Sequence, residues 1–206
     1  GSGSSLTKLG SGTLTLSSAT NTYTGATSIQ DGTLQVDGNL ADLTALNLSS
    51  TGTYIANSND TIDSFTGDGT VNIATGITLT TNTSNNFSYS GSFSGDGRLL
   101  KDGTSTLTLS GDNSSANIDF ELADGSLALD SANAISTTSS SEIIFSGGTL
   151  QYTSLNSSDY SAQFTDLDNQ TFRINTNGQN VSFSSPLQGS GSSLTKLGSG
   201  TLTLSS

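Results

Sequence analysis

An 18-residue segment that occurs twice is the feature of this sequence that most constrains its fold. Residues Gly1–Ser18 and Gly189–Ser206 are identical, and both read GSGSSLTKLGSGTLTLSS. A diverged copy, GDGRLLKDGTSTLTLSG, occupies Gly95–Gly111, so the three copies begin 94 residues apart. Self-similarity at a fixed period is typical of architectures in which each repeat stacks on its neighbours. The repeat therefore predicts a stacked fold.

The similarity extends through the units, because apolar positions keep their places while the letters between them change. Ile29 and Leu34, for example, correspond to Leu122 and Leu127 at a constant offset of 93. Such a pattern indicates a shared core beneath a variable surface. We expect one continuous solenoid made of a first unit at 1–94, a diverged second unit at 95–188 and the start of the next 188-residue repeat at 189–206.

Composition agrees with a solenoid better than with a single compact core. Hydrophobic residues make up 31% of the chain, against the roughly 45–50% usual in globular proteins on a slightly wider residue set. A solenoid needs fewer, since each coil buries a few residues against its two neighbours. Disorder would also lower hydrophobicity, but disordered chains lack the periodic alternation of β-branched and aromatic residues that runs through this one.

Short alternating runs punctuated by Gly, Asn, Asp and Ser predict an all-β protein. Thr13-Leu14-Thr15-Leu16 alternates with period two, which places both leucines on one face of a strand. Asp31-Gly32 could close a hairpin or form a corner between two solenoid faces, and the repeat favours the corner. No stretch has the length of a stable helix, and Asp130–Ala134 comes nearest.

The predicted fold is a right-handed parallel β-helix with three strands per coil and about 8–9 coils. Each 94-residue unit would contain four coils of 23.5 residues, a length within the range of known solenoid repeats. An antiparallel sandwich is the competing fold. The absence of two-residue Asn-Gly hairpins and the open-ended repeat speak against it.

Charge and residue usage exclude several classes of function. The net charge of −12 arises from 17 acidic and 5 basic residues that form no basic stripe, so nucleic-acid binding is not expected. There is neither His nor Cys, which removes imidazole bases, thiol nucleophiles and the usual zinc ligands. No apolar run approaches the ~18 residues of a membrane helix, so we expect no membrane insertion by this chain.

The remaining candidate sites each have a simpler structural reading, and we assign no catalytic, cofactor-binding or metal-binding residue and no cofactor. The acidic pairs Asp63 with Asp68 and Asp166 with Asp168 could serve a carboxylate enzyme, but Asp is also common in turns. The GDG segments at 67–69 and 95–97 resemble fragments of calcium loops, which need six to eight oxygen ligands. The outward threonines could form an ice- or glycan-binding array if they shared one face; they are Thr13, Thr15, Thr106, Thr108, Thr201 and Thr203.

Glycines and lysines of the repeated segment have structural interpretations as well. Gly10 and Gly12 are expected to form a corner with positive φ. Lys8, Lys101 and Lys196 recur at nearly the repeat period. They could cap backbone carbonyls, pair with an Asp of the neighbouring coil, or blunt a strand edge at the rim, and the sequence leaves these alternatives open.

The run Ser5–Val36 resembles the autotransporter-associated β-strand repeat of bacterial passenger domains. That family's signature reads roughly G-S-L-T-K-x-G-x-G-T-L-T-L-S, then N-T-Y-T-G-x-T, then G-T-L. The segment at 95–129 follows it less closely and loses the N-T-Y-T-G element. Here the letters of the signature fall on Ser5, Leu6, Thr7, Lys8, Gly10, Gly12, Thr13 to Ser17, Asn21 to Gly25, Thr27 and Gly32 to Leu34.

The resemblance implies a right-handed parallel β-helix displayed on, or secreted from, a bacterial cell with an outer membrane. Our interpretation is a non-enzymatic structural or adhesive segment of a large repetitive surface protein, acting as a rigid stalk or fibre. Its expected partners are adjacent repeats, further copies by head-to-tail or lateral self-association, and surface glycans. The alternatives are a glycan-binding or polysaccharide-degrading β-helix and an ice- or mineral-surface binder.

Overall fold

A computed structural model describes residues 3–41, 43–137 and 140–205. Three residues of the two identical 18-residue segments, Gly1, Ser2 and Ser206, lie outside the described residues. Everything said below about the repeat therefore concerns its described part.

Twenty-two strands and one 3-10 helix form the described part of the chain. In chain order the strands are β1 (Leu6–Lys8), β2 (Thr13–Leu16), β3 (Thr27–Ile29), β4 (Gly32–Val36), β5 (Ala45–Leu48), β6 (Gly52–Ala56), β7 (Asp60–Ile62), β8 (Ser64–Gly67), β9 (Thr70–Ile73), β10 (Thr78–Asn82), β11 (Phe87–Tyr89), β12 (Ser92–Gly95), β13 (Arg98–Asp102), β14 (Thr106–Leu109), β15 (Asp119–Leu122), β16 (Ser126–Leu129), β17 (Ile143–Phe145), β18 (Thr149–Tyr152), β19 (Thr171–Asn175), β20 (Val181–Phe183), β21 (Ser193–Leu197) and β22 (Leu202–Leu204). The 3-10 helix is Ser161–Gln163.

The strands stack into parallel sheets that run along one axis. A ten-stranded sheet has the order β1-β3-β5-β8-β11-β14-β16-β18-β19-β21 and follows the described chain from one end to the other. The second sheet has the order β2-β4-β6-β9-β12, the third β7-β10-β13-β15-β17, and β20 pairs with β22. The chain winds as a right-handed parallel β-helix, the hand that parallel crossovers almost always take. The predicted fold class is confirmed.

The number of coils differs from the prediction. Leu6 pairs with Thr27, and nine such steps along the ten-stranded sheet carry the register to Lys196. A coil therefore averages about 21 residues instead of 23.5, and the described chain makes ten coils instead of eight or nine. Corners of only a few residues account for the shorter coil: Gln30 and Asp31 alone separate β3 from β4.

Three strands per coil is correct for only part of the described chain. Coils β5–β7, β8–β10 and β11–β13 have three strands, and the other coils have two or fewer regular faces. In the first coil the corresponding segment, Asn21–Gly25, alternates between half-buried and exposed residues but forms no regular strand.

The Asp31-Gly32 step is a corner and not a hairpin. It joins β3 of the ten-stranded sheet to β4 of the second sheet, and every pairing between named strands is parallel. Leu14 and Leu16 of β2 are half-buried and pack on the core, as their alternation predicts. No α-helix occurs among the described residues, and none of their helical segments has the length and hydropathy of a membrane span.

The core is a continuous column of inward side chains, and its widest part is aromatic. Phe65 lies at the centre, with ring centroids 5.5 Å from Phe87, 4.9 Å from Tyr89 and 5.6 Å from Phe93. All three rings stand nearly perpendicular to that of Phe65, the edge-to-face arrangement that aromatic pairs favour. These four side chains come from two successive coils, so the aromatic cluster holds the two coils together.

Replacing Phe65 with Ala should lower the free energy of unfolding by about 3–5 kcal/mol, because a fully buried ring is lost and a cavity remains. Urea unfolding followed by far-ultraviolet circular dichroism measures the change. Ser88→Ala is the matched control, since Ser88 is exposed on the outer face of the same sheet and should change stability by no more than about 0.5 kcal/mol. Equal effects of the two substitutions would contradict this description of the core.

Candidate functional site

The repeated segment folds into a turn that is closed by its own lysine. Lys8 is the last residue of β1, its side chain points into the coil, and only 7% of it is exposed. Its ammonium donates hydrogen bonds to the carbonyl oxygens of Leu9 at 3.0 Å and Gly10 in the same turn. It also donates to the carbonyl oxygen of Asp31 in the next coil at 3.0 Å. One ammonium group thus closes a turn and joins two coils.

The diverged copy forms the same arrangement at the same residue offsets. Lys101 is 1% exposed and donates to the carbonyl oxygens of Asp102 at 2.9 Å, Gly103 at 2.8 Å and Asp124 at 3.3 Å. Of the three roles left open for these lysines, carbonyl capping is the one the structure contains. We call this arrangement the lysine clamp, and define it as the lysine, the two carbonyls that follow it and the carbonyl 23 residues later.

Two glycines shape each clamp. Gly10 and Gly103, two residues after the lysine, have φ of 71° and 72°, a conformation that L-residues with side chains seldom adopt. Gly32 and Gly125 follow the acceptor aspartates, and a Cβ at these positions would lie 2.5 Å from the Gly10 oxygen and 2.6 Å from the Gly103 oxygen. Only glycine fits there. The expectation of positive φ is correct for Gly10 and wrong for Gly12, which keeps an ordinary backbone conformation.

The third copy contains the part of the clamp that lies within its own turn. Lys196 donates to the carbonyl oxygens of Leu197 at 3.4 Å and Gly198 at 2.8 Å, and Gly198 has φ of 71°. Lys196 itself is exposed, because β21 is the last strand of the ten-stranded sheet in the described chain. The turn geometry therefore forms without a following coil.

Burial opposes the charge of the clamp lysine. Desolvation lowers the pKa of Lys101 to about 8, while the nearby carboxylates of Asp124 and Asp102 act in the opposite direction. A buried ammonium is tolerated only when it is well supplied with hydrogen-bond acceptors. The three carbonyl oxygens supply them, so lysine and turn depend on each other.

The copies of the signature lie on different faces of the solenoid. The Leu-Thr-Lys strand belongs to the ten-stranded sheet in the first and third copies, as β1 and β21, whereas its counterpart β13 lies in the third sheet. The Thr-Leu-Thr-Leu strand moves likewise, from the second sheet as β2 to the ten-stranded sheet as β14. The outward threonines of these two strands therefore share no face. A flat ice-binding array built from them is excluded, and the signature is a packing element instead of a one-sided binding surface.

The candidate acidic pairs do not form a two-carboxylate centre. Asp63 and Asp68 stand at opposite ends of strand β8, about 16 Å apart along the chain at the strand rise, whereas paired catalytic carboxylates lie within about 10 Å. Asp166 and Asp168 are exposed outside any strand, and an Asp168 carboxylate oxygen accepts a hydrogen bond from the Ser190 amide at 2.7 Å. Both pairs have the turn roles that Asp commonly takes.

The GDG segments form corners of the solenoid. Gly67 and Gly95 have φ of 101° and 90° at the ends of β8 and β12. Asp96 accepts a hydrogen bond from the Asn117 side chain of the next coil. Among residues 3–41, 43–137 and 140–205, no group of three or more acidic side chains is placed to hold a metal ion.

Arg98 of the third sheet is engaged by two carboxylates and offsets the charge of one of them. Arg98 contacts Glu121 at 3.0 Å and Asp119 at 4.0 Å on the neighbouring strand. It also lines a shallow groove of about 290 Å³ together with Thr78 and Asp96. Because its guanidinium is already engaged by two carboxylates, this groove offers no free cation for an acidic sugar.

The acidic residues are distributed unevenly over the faces. None of the ten strands of the ten-stranded sheet contains Asp or Glu, and acidic residues within strands occur only in the third sheet. Thr66 donates to the Asn47 side chain at 2.8 Å, and Asn175 donates to Gln151 at 3.0 Å across neighbouring coils. One column of positions on the outer side of this sheet runs through Thr7, Ser28, Asn47, Thr66, Ser88, Thr108, Ala128, Gln151 and Asn175 to Leu197, and it is polar except at the buried Ala128 and at Leu197.

Comparison with known families agrees with the fold and the repeat. The family described as passenger-associated-transport-repeat matches residues 6–36, 99–117 and 194–206. These matches and the β-solenoid support an autotransporter passenger repeat domain. No curated protein and no solved structure matched it.

The three matched segments of the passenger repeat domain coincide with the clamp turns. They contain β1–β4, the greater part of β13 with β14, and β21–β22, and each includes its lysine. The first matched segment also contains Asp31 and Gly32, whereas Asp124 and Gly125 lie beyond the end of the second. What the matched segments share in this structure is therefore the lysine and the turn that it closes. The role of this lysine could not be assigned from the sequence, because the sequence does not show which backbone oxygens surround the ammonium in the fold.

Lys101→Met should lower the free energy of unfolding at pH 7 by about 2 kcal/mol, because the apolar stem is kept while three carbonyl oxygens lose their donor. Lys196→Met is the matched control: that lysine is exposed and has only two acceptors, so its loss should cost no more than about 0.5 kcal/mol. Chemical unfolding of both variants measures the difference. A Lys101 variant as stable as the Lys196 variant would contradict a structural role for the clamp.

Proposed function

We propose that this passenger domain is a non-enzymatic rod segment of a large protein on the bacterial cell surface, and that its ten-stranded sheet is an adhesive face. The observation that carries the proposal is the uninterrupted parallel sheet that follows the axis through all ten coils. Membership in the passenger repeats supports the secreted or surface location.

A rod follows from the way the coils are connected. Each inner coil is hydrogen-bonded on both sides to its neighbours, and the aromatic core extends across several of them. Nine steps at the parallel-strand spacing give a rise of about 43 Å for each 188-residue unit. The sequence that begins the unit recurs directly after it, at Gly189–Ser206, so further units can add to the axis without a change of packing.

Joining two, three and four 188-residue units in one chain should lengthen the particle by about 43 Å per unit at constant cross-section. Small-angle X-ray scattering of the series measures both quantities. The single unit is the reference, because a short rod and a compact globule of this size differ little in radius of gyration. A maximum dimension that grows only as the cube root of chain length would contradict the rod.

Adhesion through the ten-stranded sheet is supported by its chemistry. The outward side chains of this face are mostly Ser, Thr, Asn and Gln, with Arg173 among them, and its strands contain no carboxylate, although the chain carries a net charge of −12. Two such faces can approach without the like-charge repulsion that the third sheet, with Asp119 and Glu121, would meet. Hydroxyl and amide groups can then exchange hydrogen bonds across the contact. The proposed partner is a second copy of the same face.

The double variant Ser28→Glu with Ser88→Glu, which places two carboxylates on the ten-stranded face, should weaken self-association of the joined units about tenfold or more. Thr61→Glu with Thr78→Glu adds the same charge to the third sheet and should have little effect. Sedimentation velocity over a concentration series measures the association, with circular dichroism to verify the fold. Equal weakening by both pairs would point to net charge and contradict a specific face.

A further inference from the structure

The described strands of the ten-stranded sheet place a single charged side chain, that of Arg173 in β19, on their outer side. The lysines of these strands, Lys8 and Lys196, occupy inward positions, where they pair with the buried Ile29 and Ile174. None of the ten strands contains Asp or Glu. This face therefore carries one positive charge on a polar, otherwise uncharged surface, in a chain whose net charge is −12.

The Arg173 guanidinium is held at one end and free at the other. Its Nε donates a hydrogen bond to the Thr149 hydroxyl on the neighbouring strand at 3.4 Å. Its two terminal nitrogens have no hydrogen-bond or ion-pair partner within the described parts of the chain, whereas Arg98 contacts Glu121 and Asp119. Because two parallel N–H groups match the two oxygens of a carboxylate, the free end of Arg173 suits an anionic group of that shape.

Arg173 lines a groove of about 470 Å³ that extends over the neighbouring coils, and this volume lies in the range of small-ligand sites. Ser126 and Asn175 contribute a hydroxyl and an amide to its walls. The Asn175 side chain donates to Gln151 at 3.0 Å and accepts from the Asn177 amide at 3.0 Å, so one of its two N–H groups remains for a ligand. Hydroxyl and amide groups of this kind exchange hydrogen bonds with the hydroxyls of a sugar ring.

The groove also contains one acceptor that favours a particular ligand charge. Asp124 is the one acidic residue among the described residues that line it. One oxygen of its carboxylate accepts a hydrogen bond from the Gly125 amide at 2.7 Å, which leaves the other oxygen to accept from a ligand hydroxyl. The same carboxylate repels a second negative charge. The groove therefore suits a ligand with one carboxylate and several hydroxyls better than a polyanion.

The strand does not need an arginine at this position for its own packing. β10 is the counterpart of β19 at an offset of 93 residues, and it reads TLTTN where β19 reads TFRIN. Thr80 occupies the outward position of Arg173 there, in a strand that is paired on both sides. The arginine is therefore an addition of the second unit, and its replacement should leave the fold intact.

We propose that the Arg173 groove binds a uronic acid residue, a sugar with a single carboxylate, within an otherwise neutral glycan. The carboxylate lies on the two terminal nitrogens of Arg173, and hydroxyls of the sugar bond to Asn175 and Asp124. This inference goes beyond the self-association proposed for the same face, because it assigns one groove of that face a ligand of another class. Neither proposal depends on the other.

Titration of the intact, isotope-labelled chain with cellobiouronic acid, followed by nuclear magnetic resonance, tests the proposal, with cellobiose as the matched neutral disaccharide. The acidic disaccharide should shift the amide signals of β18 and β19 and bind at least about tenfold more tightly than cellobiose, the value of a charged hydrogen bond. Arg173→Gln should abolish this preference. Arg98→Gln, which changes the net charge equally, should retain it, because Arg98 lies in the third sheet.

Several results would overturn the uronic acid site. They are no binding to a chain whose circular dichroism is that of the folded protein, equal binding of the two disaccharides, or equal effects of the two arginine substitutions. Acetate that binds as tightly as cellobiouronic acid would also overturn it, because the sugar ring would then contribute nothing. The titration uses chain concentrations at which sedimentation finds monomers, so its outcome is independent of particle length and of lateral association.

Discussion

Hydrogen bonding between the backbones of successive coils is the interaction on which the rest of this domain depends. It satisfies the peptide groups of a chain that has too few apolar residues for one compact core, and it holds inward side chains of neighbouring coils in contact. Once that pairing is in place, the core needs only a few residues per coil. The surface is then free to be made of Ser, Thr, Asn and Gly, and the acidic residues that lie within strands are confined to the third sheet.

Much of the fold could be predicted from sequence, because its causes are local. Alternation in Thr13–Leu16 gives a strand with both leucines inward, the exact repeat gives stacking, and Asp31-Gly32 gives a corner. The length of a coil could not be predicted in the same way. It depends on how many residues each corner uses, and a corner of two residues and a loop of ten have similar compositions. The estimate of four coils per 94 residues failed for that reason, and with it the expectation of three strands in every coil.

The clamp likewise has a local cause, which the sequence shows, and a non-local cause, which it does not. The spacing between Lys8 and Lys101 shows that this lysine is part of the repeat. Its hydrogen-bond acceptors, however, are backbone oxygens, and one of them belongs to another coil. No pattern of side chains in the sequence predicts these acceptors. The difference between Gly10 and Gly12 is similar: both are glycines of one signature, yet only the first takes the left-handed conformation that the lysine turn requires. For the candidate sites made of Asp or Thr, the residue types suited a function that their placement does not provide. Asp63 and Asp68 stand at opposite ends of one strand, and the outward threonines of β2 and β14 lie on different faces.

The rotation of the signature around the axis has a mechanical consequence. From β1 to β13 the chain advances four and two-thirds coils, and from β13 to β21 four and one-third. The buried clamps of Lys8 and Lys101 therefore lie on different sides of the solenoid. A sideways force therefore acts on a clamped turn in more than one direction. The corners without a clamp do not all lie on one side, where they could together act as a hinge. Because the two advances sum to nine whole coils, a long array would carry its clamps on the same two sides in every 188-residue unit, and its resistance to bending would differ between those sides and the third.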